Sequence, residues 1–149
     1  MQTMAASALM IGLAVFFALF MPSSFERASQ RAEAWAVNFA AYRQAVNAYA
    51  LEHKRAGRIA AEELELQEEF SPMPWDNLVI WEENELRCYV FAPGTPALFA
   101  ALSRLLHNSP SIGWKRNGYL VNGSGSALPL PGVIENGDIV SVIIVDKAG

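Results

Sequence analysis

The sequence predicts an α+β fold in which two N-terminal helical segments precede a small antiparallel sheet. Residues 28–56 have helical periodicity, and short strand-like runs separated by turn residues follow residue 75. An uncharged N-terminal run explains why only 17% of the 149 residues are charged, where about 25% is typical. We therefore expect a transmembrane anchor at 1–22, an amphipathic helix at 23–57 and a small α+β domain at 58–149.

The predicted anchor is the uncharged run of residues 4–21, MAASALMIGLAVFFALFM. As a helix it would span roughly 27 Å, close to the roughly 30 Å of a hydrocarbon core. A cleaved signal peptide fits less well, because no Lys or Arg precedes the run and no small-x-small site follows it. A buried core helix is the other alternative. Arg27 and Arg31 give only a weak bias towards a cytoplasmic domain.

A long amphipathic helix is predicted after Pro22. Ser23 and Glu26 have the spacing of a capping box, and Gly57 is a natural C-terminal stop. Alternating steps of four and three residues give one apolar stripe, which comprises Trp35, Phe39, Tyr42, Val46 and Tyr49. We expect this stripe to pack on the sheet of the domain.

The membrane-proximal half of the same stripe suggests a second use. A long helix that leaves a membrane cannot bury its first turns in a domain some distance away, and small residues allow another helix to approach closely. The candidate partner-contact residues are Ala28, Ala32, Trp35 and Phe39.

The remaining chain alternates turns, strands and short helices. Five carboxylates within residues 62–69 predict a short acidic helix with a solvated face, because the spacing of a calcium loop is missing. Thr95 and Pro96 have the residue types of a helix start, and Asn117-Gly118 is typical of a hairpin turn. The expected strands are residues 77–81, 87–92, 111–115, 119–121 and 139–145, with a loop at 122–132.

A search for chemistry in the sequence finds no catalytic set. His53 and His107 lack a carboxylate or thiol at diagnostic spacing, and Cys88 lies among apolar strand residues, as a structural thiol does. One cysteine excludes a disulfide framework and a multi-thiolate metal site. The net charge of −4 argues against nucleic-acid binding. We expect a non-enzymatic protein without cofactor or metal.

The order of several short motifs resembles the small PilM family of thin, type IVb conjugative pili, which is unrelated to the actin-like proteins of that name. The helix contains a run similar to the family's N-x-x-x-Y-R-x-A-V-x-x-Y, from Asn38 to Tyr49. Ala92-Pro93-Gly94, Gly118-Tyr119-Leu120-Val121-Asn122 and the stretch from Leu130 to Val140 follow in the family's order.

This resemblance implies a single-pass bacterial inner-membrane protein of pilus biogenesis, in the pilin assembly apparatus or at the pilus base, with its globular domain in the periplasm. Its implied partners are the membrane, other pilus assembly proteins and pilin, and a homo-oligomer is an open alternative. The layout also resembles a type IV pilin, so a minor pilin or pseudopilin is an alternative. The sequence lacks the basic leader and the early Glu of a prepilin. A membrane-anchored enzyme or peptide-binding module is the other alternative.

Overall fold

The computed structural model describes residues 24–67, 73–82, 84–125 and 127–146. The chain divides into two compact units, Met1–Arg31 and Ala32–Gly149. The predicted anchor at residues 4–21 and the proposed cap residue Ser23 lie outside the described residues. Within the described residues, no helix has the length and apolar character that a membrane crossing requires.

The first described element is the long helix α1, Ser24–His53. Its apolar stripe packs into the main core of the second unit, as the periodicity predicts. Phe39 and Val46 are completely buried there, Tyr42 is almost completely buried, and Tyr49 is half-buried at the margin. The helix therefore forms one wall of the domain over much of its length.

A six-stranded antiparallel sheet forms the other layer, in the order β1-β2-β6-β3-β4-β5. The strands are β1 Asp76–Trp81, β2 Glu85–Pro93, β3 Ile112–Arg116, β4 Tyr119–Val121, β5 Leu128–Pro129 and β6 Asp138–Asp146. The long strands β2 and β6 pair along their whole length. The fold class is therefore the predicted α+β arrangement, with the last strand at the centre of the sheet.

Strand alternation divides the side chains between two faces of the sheet. We call the face under α1 the helical face; it includes Leu86, Cys88 and Val90 of β2. The opposite face includes Tyr89 and Phe91, and Leu130 and Ile134 of the 122–137 loop cover part of it. Two separate apolar clusters thus lie on the two sides of one sheet.

A second helix, α2, spans Pro96–Leu105, as its start signals predict. Thr95 caps it by accepting a hydrogen bond from the Leu98 amide over 3.2 Å. Its buried residues Leu98, Ala101 and Leu102 extend the core on the helical face.

The hairpin turn is also confirmed. Asn117 and Gly118 both have positive φ angles, 51° and 85°, which a type I′ turn requires and which this residue pair readily adopts. The loop at 122–132 contains the two-residue strand β5, which the sequence analysis did not predict.

The predicted end of α1 is wrong by several residues. The helix ends at His53, and Lys54 takes the left-handed conformation with φ 49° while its amide still bonds to the Ala50 carbonyl. Gly57 instead exchanges two backbone hydrogen bonds with Val79 of β1. The chain leaves the helix early because this bridge holds the following segment along the sheet edge.

The predicted acidic helix is reduced to a single 3₁₀ turn, Ala61–Glu63. Leu64 is buried in the main core, and Leu66 packs beside it, which holds the segment in an extended path against the domain. Glu63 pairs with Arg55 and accepts a hydrogen bond from the Ala60 amide. The last two of the five carboxylates, at 68 and 69, lie outside the described residues.

Candidate partner-binding surfaces

The structure separates the four predicted partner-contact residues. Ala32 and Phe39 are buried in the core of the second unit, so neither offers surface to a partner. Ala28 belongs to the first unit and is exposed. Trp35 is 37% exposed. The periodicity identified one helix stripe but could not show where along it burial begins.

Trp35 lies at the edge of an aromatic cluster. Its ring meets the Trp75 ring edge-on at a centroid distance of 6.4 Å, and Trp75 meets Phe39 in the same way at 5.2 Å. The Trp75 indole nitrogen donates a 2.6 Å hydrogen bond to the Asn38 side chain. Trp35 is therefore held by the domain on one side while its other side faces solvent.

A groove of about 640 Å³ follows the outer side of α1, next to the segment around Glu63. The helix lines it with small, apolar and polar residues, and Val37 is the most exposed large apolar one at 58%. Glu63 stands at its rim, where hydrogen bonds from the Ala60 amide and from Arg55 lower the pKa of its carboxyl group. The groove is open and shallow, with an acidic border.

A second, smaller cavity of about 330 Å³ lies on the opposite face of the sheet. Its wall is almost entirely apolar apart from Ser111 and Asn122. The lining residues are Pro110, Ser111, Leu120, Asn122, Leu128, Val142 and Ile144. The sequence analysis did not foresee this cavity, because residues from four separate elements form it.

The described His, Cys, Asp and Glu side chains are not arranged for metal binding. No group of three His, Cys, Asp or Glu side chains is placed to hold a metal ion in the described ranges. Cys88 is buried, and burial raises the pKa of its thiol to about 11, which disfavours the reactive thiolate. His53 stacks on Tyr49 at a centroid distance of 4.0 Å.

Comparison with known proteins decides the family. The sequence model of the PilM family matches residues 8–142. The chain belongs to the PilM family. The match starts inside the apolar run of residues 4–21, so part of that run belongs to the family pattern. This membership supports a role in pilus biogenesis, and PilM is a family of pilus assembly proteins rather than a known enzyme family.

A solved structure supports the same fold. The crystal structure of a PilM protein from Escherichia coli B7A superposes with a TM-score of 0.61 at 22% sequence identity. The superposition covers 83% of this chain and 100% of that chain. No match is found among curated proteins.

The sequence analysis missed Arg43 as a site residue, although it lies within the PilM-like run of α1. Its guanidinium donates a 3.2 Å hydrogen bond to the Ser111 hydroxyl, 68 residues away. Arg43 lies outside the apolar stripe of α1, so helical periodicity did not indicate this contact. Only the fold brings it to the border of the second cavity, which Ser111 lines.

Proposed function

We propose that the protein is a non-enzymatic inner-membrane component of type IVb conjugative pilus biogenesis, in the pilin assembly apparatus or at the pilus base. The observation that carries this proposal is the match to the PilM family over residues 8–142. The uncharged run at residues 4–21 would supply a single membrane span. The globular domain would then lie in the periplasm, where pili assemble.

A reporter fusion tests the location. Alkaline phosphatase fused after Gly149 will be active if the domain is periplasmic, and a fluorescent protein that folds only in the cytoplasm will be dark at the same position. The matched control is the same pair of fusions with the segment at residues 1–22 replaced by a cleavable secretion signal. Inactive phosphatase together with a bright fluorescent fusion would place the domain in the cytoplasm.

Part of the predicted partner surface supports a contact with other pilus assembly proteins. Ala28 and Trp35 are the two members of the set that remain exposed. A Trp with a solvent-facing side is a typical anchor of an interface, since truncation of such a residue commonly costs 2 kcal/mol or more of binding. We assign partner contact to Trp35.

Substitution of Trp35 tests this contact. Trp35→Ala should reduce co-purification with the pilus inner-membrane proteins by about tenfold or more. Leu51→Ala is the matched control, because Leu51 is a large apolar residue of α1 with similar exposure, 43%, and it lines neither the groove nor the smaller cavity. Equal co-purification of both variants at wild-type abundance would exclude Trp35 as a partner contact.

A minor pilin or pseudopilin is the second candidate. The 30-residue helix α1, whose later part packs on an antiparallel sheet, favours it. N-terminal sequencing of the mature protein distinguishes the two functions. Cleavage ahead of the apolar run with methylation of the new N-terminus would indicate a pilin, whereas an uncleaved chain is what an assembly component would give.

A further inference from the structure

The central strand β6 is paired on both sides along only part of its length. Its partner β3 is in register with it from Trp114↔Ile139 to Ile112↔Ser141, and one further bond joins the Val142 amide to the Ser111 carbonyl. Beyond that point, Pro110 begins the connection that leads back to α2. The last four residues of β6 therefore have β2 on one side and no described strand on the other.

The backbone groups on this open side follow from the alternation of hydrogen bonds in an antiparallel strand. Because the Val142 amide points towards β3, the amides and carbonyls of Ile144 and Asp146 point the same way. No backbone hydrogen bond within the described residues engages either of them on that side. Such groups form a template for an added strand.

An apolar cavity borders the open edge on the face opposite α1. It is the cavity of about 330 Å³ whose wall includes Val142 and Ile144 of β6. Ile144 is 45% exposed, an unusual position for a large apolar residue of a central strand. An added strand would project alternate side chains into this cavity.

Arg43, which has no acidic partner among the described residues, borders the open edge on the helical face. Arg43 reaches Ser111, which also lines the cavity. None of the ion pairs within the described residues includes Arg43, and its Nε atom is buried without a hydrogen-bond partner there. Burial alone lowers the pKa of this guanidinium from its ordinary value.

Two contacts of the chain with β1 give the direction of α1 relative to β6. Near its middle, α1 contacts Asn77 of β1, which is aligned through β2 with Ser141 of β6. Just beyond the end of α1, the chain forms a bridge to Val79 of β1, which is aligned through β2 with Ile143 of β6. The helix thus runs towards the C-terminal end of β6.

Asn47 follows Arg43 by one turn on the same flank of α1. The Asn47 Oδ1 atom is also buried and has no hydrogen-bond partner within the described part of the chain. Within the described residues, Arg43 and Asn47 therefore each have one buried polar atom without a hydrogen-bond partner.

We propose that the open edge at Ile144 and Asp146 binds an extended segment of a partner protein, which adds a strand to β6 in line with β3. The segment carries a carboxylate towards Arg43 and, at the adjacent position, a bulky apolar side chain that fills the cavity. Charge complementarity favours a carboxylate at the position next to Arg43, because no ion pair within the described residues engages Arg43. The carboxylate and the adjacent apolar side chain give the binding its specificity. The backbone hydrogen bonds to β6 do not depend on the sequence of the segment. This site is separate from the contact assigned to Trp35, and its test does not depend on membrane topology.

The test begins with random dodecapeptides displayed on phage and selected on the detergent-solubilised full chain. The expected result is enrichment of peptides that contain Asp or Glu next to Leu, Ile, Phe or Met. A synthetic peptide with an enriched sequence should slow hydrogen exchange at the amides of Ile144 and Asp146. Replacement of its acid by the corresponding amide should weaken binding at least tenfold, the size expected for a charge-assisted hydrogen bond.

Protein variants locate the peptide on the edge. Arg43→Gln should weaken the acidic peptide at least tenfold and leave its amide version unchanged. Arg31→Gln, at an exposed arginine of α1, is the matched control and should bind normally. N-methylation of the peptide residues whose backbone amides point towards β6 should abolish binding. N-methylation of the alternate residues should not. This comparison requires no change in the protein.

Three results would overturn the proposal. The first is a selection that enriches no sequence. The second is an enriched peptide whose binding is the same for Arg43→Gln and the wild type. The third is a peptide that binds without slowing exchange at Ile144 and Asp146.

Discussion

The two faces of the sheet are covered in different ways. Within the described residues, α1 and α2 cover the helical face, and its cluster contains nineteen buried residues from these helices, the sheet and the segments between them. In the same part of the chain, the buried cluster on the opposite face has seven residues, the 122–137 loop covers part of it, and a cavity remains beside β6. The comparison indicates that stability resides on the helical face, whereas the opposite face and its β6 edge retain surface for binding.

A buried hydrogen-bond network reinforces the helical face. The Asn77 side chain donates 2.7 Å and 2.8 Å bonds to the Tyr42 hydroxyl and the Ile59 carbonyl, and it accepts a 2.9 Å bond from the Ile59 amide. It thereby joins β1, α1 and the segment after α1. A polar network that is fully satisfied specifies one arrangement of these elements.

The largest expected effect comes from the centre of the helical face. Phe39→Ala should lower the free energy of unfolding by about 3–5 kcal/mol, because it removes a completely buried ring that packs edge-on against Trp75. Chemical unfolding of the detergent-solubilised full chain measures this. The control Val37→Ala should change it by less than about 0.5 kcal/mol. Similar losses for both would mean that the helix does not divide into a core side and an outer side.

The polar network should be the next most sensitive feature. Asn77→Ala should cost about 2–4 kcal/mol, because it leaves the amide and carbonyl of Ile59 buried without their partner. Tyr42→Phe, which removes one bond and keeps the ring, should cost about 1 kcal/mol. The same unfolding measurement compares them. An Asn77 variant no less stable than the Tyr42 variant would show that the Ile59 bonds contribute little.

Burial of Cys88 should produce a pH-dependent stability. The folded-state pKa of about 11 lies above the ordinary value of 9.0, so the neutral thiol is favoured in the folded state. The resulting stability is fully present below pH 9 and is lost as the pH rises through 11, up to about 2–3 kcal/mol in total. The free energy of unfolding is measured against pH for the wild type and for Cys88→Ala. The difference between the two curves isolates this contribution. Parallel profiles between pH 9 and pH 11 would contradict it.

The edge of the opposite face should tolerate substitution. Ile144→Ala removes a side chain that is already 45% exposed, so it should cost only about 1 kcal/mol. The matched position on the helical face is Val79→Ala, which should cost more because that side chain is 1% exposed. Thermal melting of the two variants gives the comparison. An equal or larger loss at Ile144 would mean that the two faces contribute alike.

Local signals predicted most elements, and their errors have physical causes. Thr95-Pro96 correctly predicted the start of α2, and Asn117-Gly118 correctly predicted a hairpin turn. Both signals succeeded because these residues themselves favour the required backbone geometry. Gly57 misled the prediction of the α1 terminus, because its positive φ serves a bridge to Val79 that only the tertiary structure creates. Tertiary contacts also decided the path of the acidic segment.

The candidate surfaces were less predictable than the fold. Helical spacing places Trp35 and Phe39 on one stripe, yet exposure depends on where the domain begins along the helix. The cavity beside β6 depends on residues that are brought together from the loop after α2, β4, β5 and β6. Sequence patterns do not report such long-range convergence.

Pilus production in a strain that carries the Arg43→Gln variant tests most directly whether the binding edge is distinct from the stabilising core. Arg43 is partly buried at a cost of solvation and has no ion pair within the described residues, so its replacement should leave the melting temperature unchanged or slightly raised. A strain that lacks the gene and is complemented with this variant should nevertheless produce few or no pili at wild-type protein abundance. Normal piliation by the folded variant would contradict the account, and so would a large loss of stability.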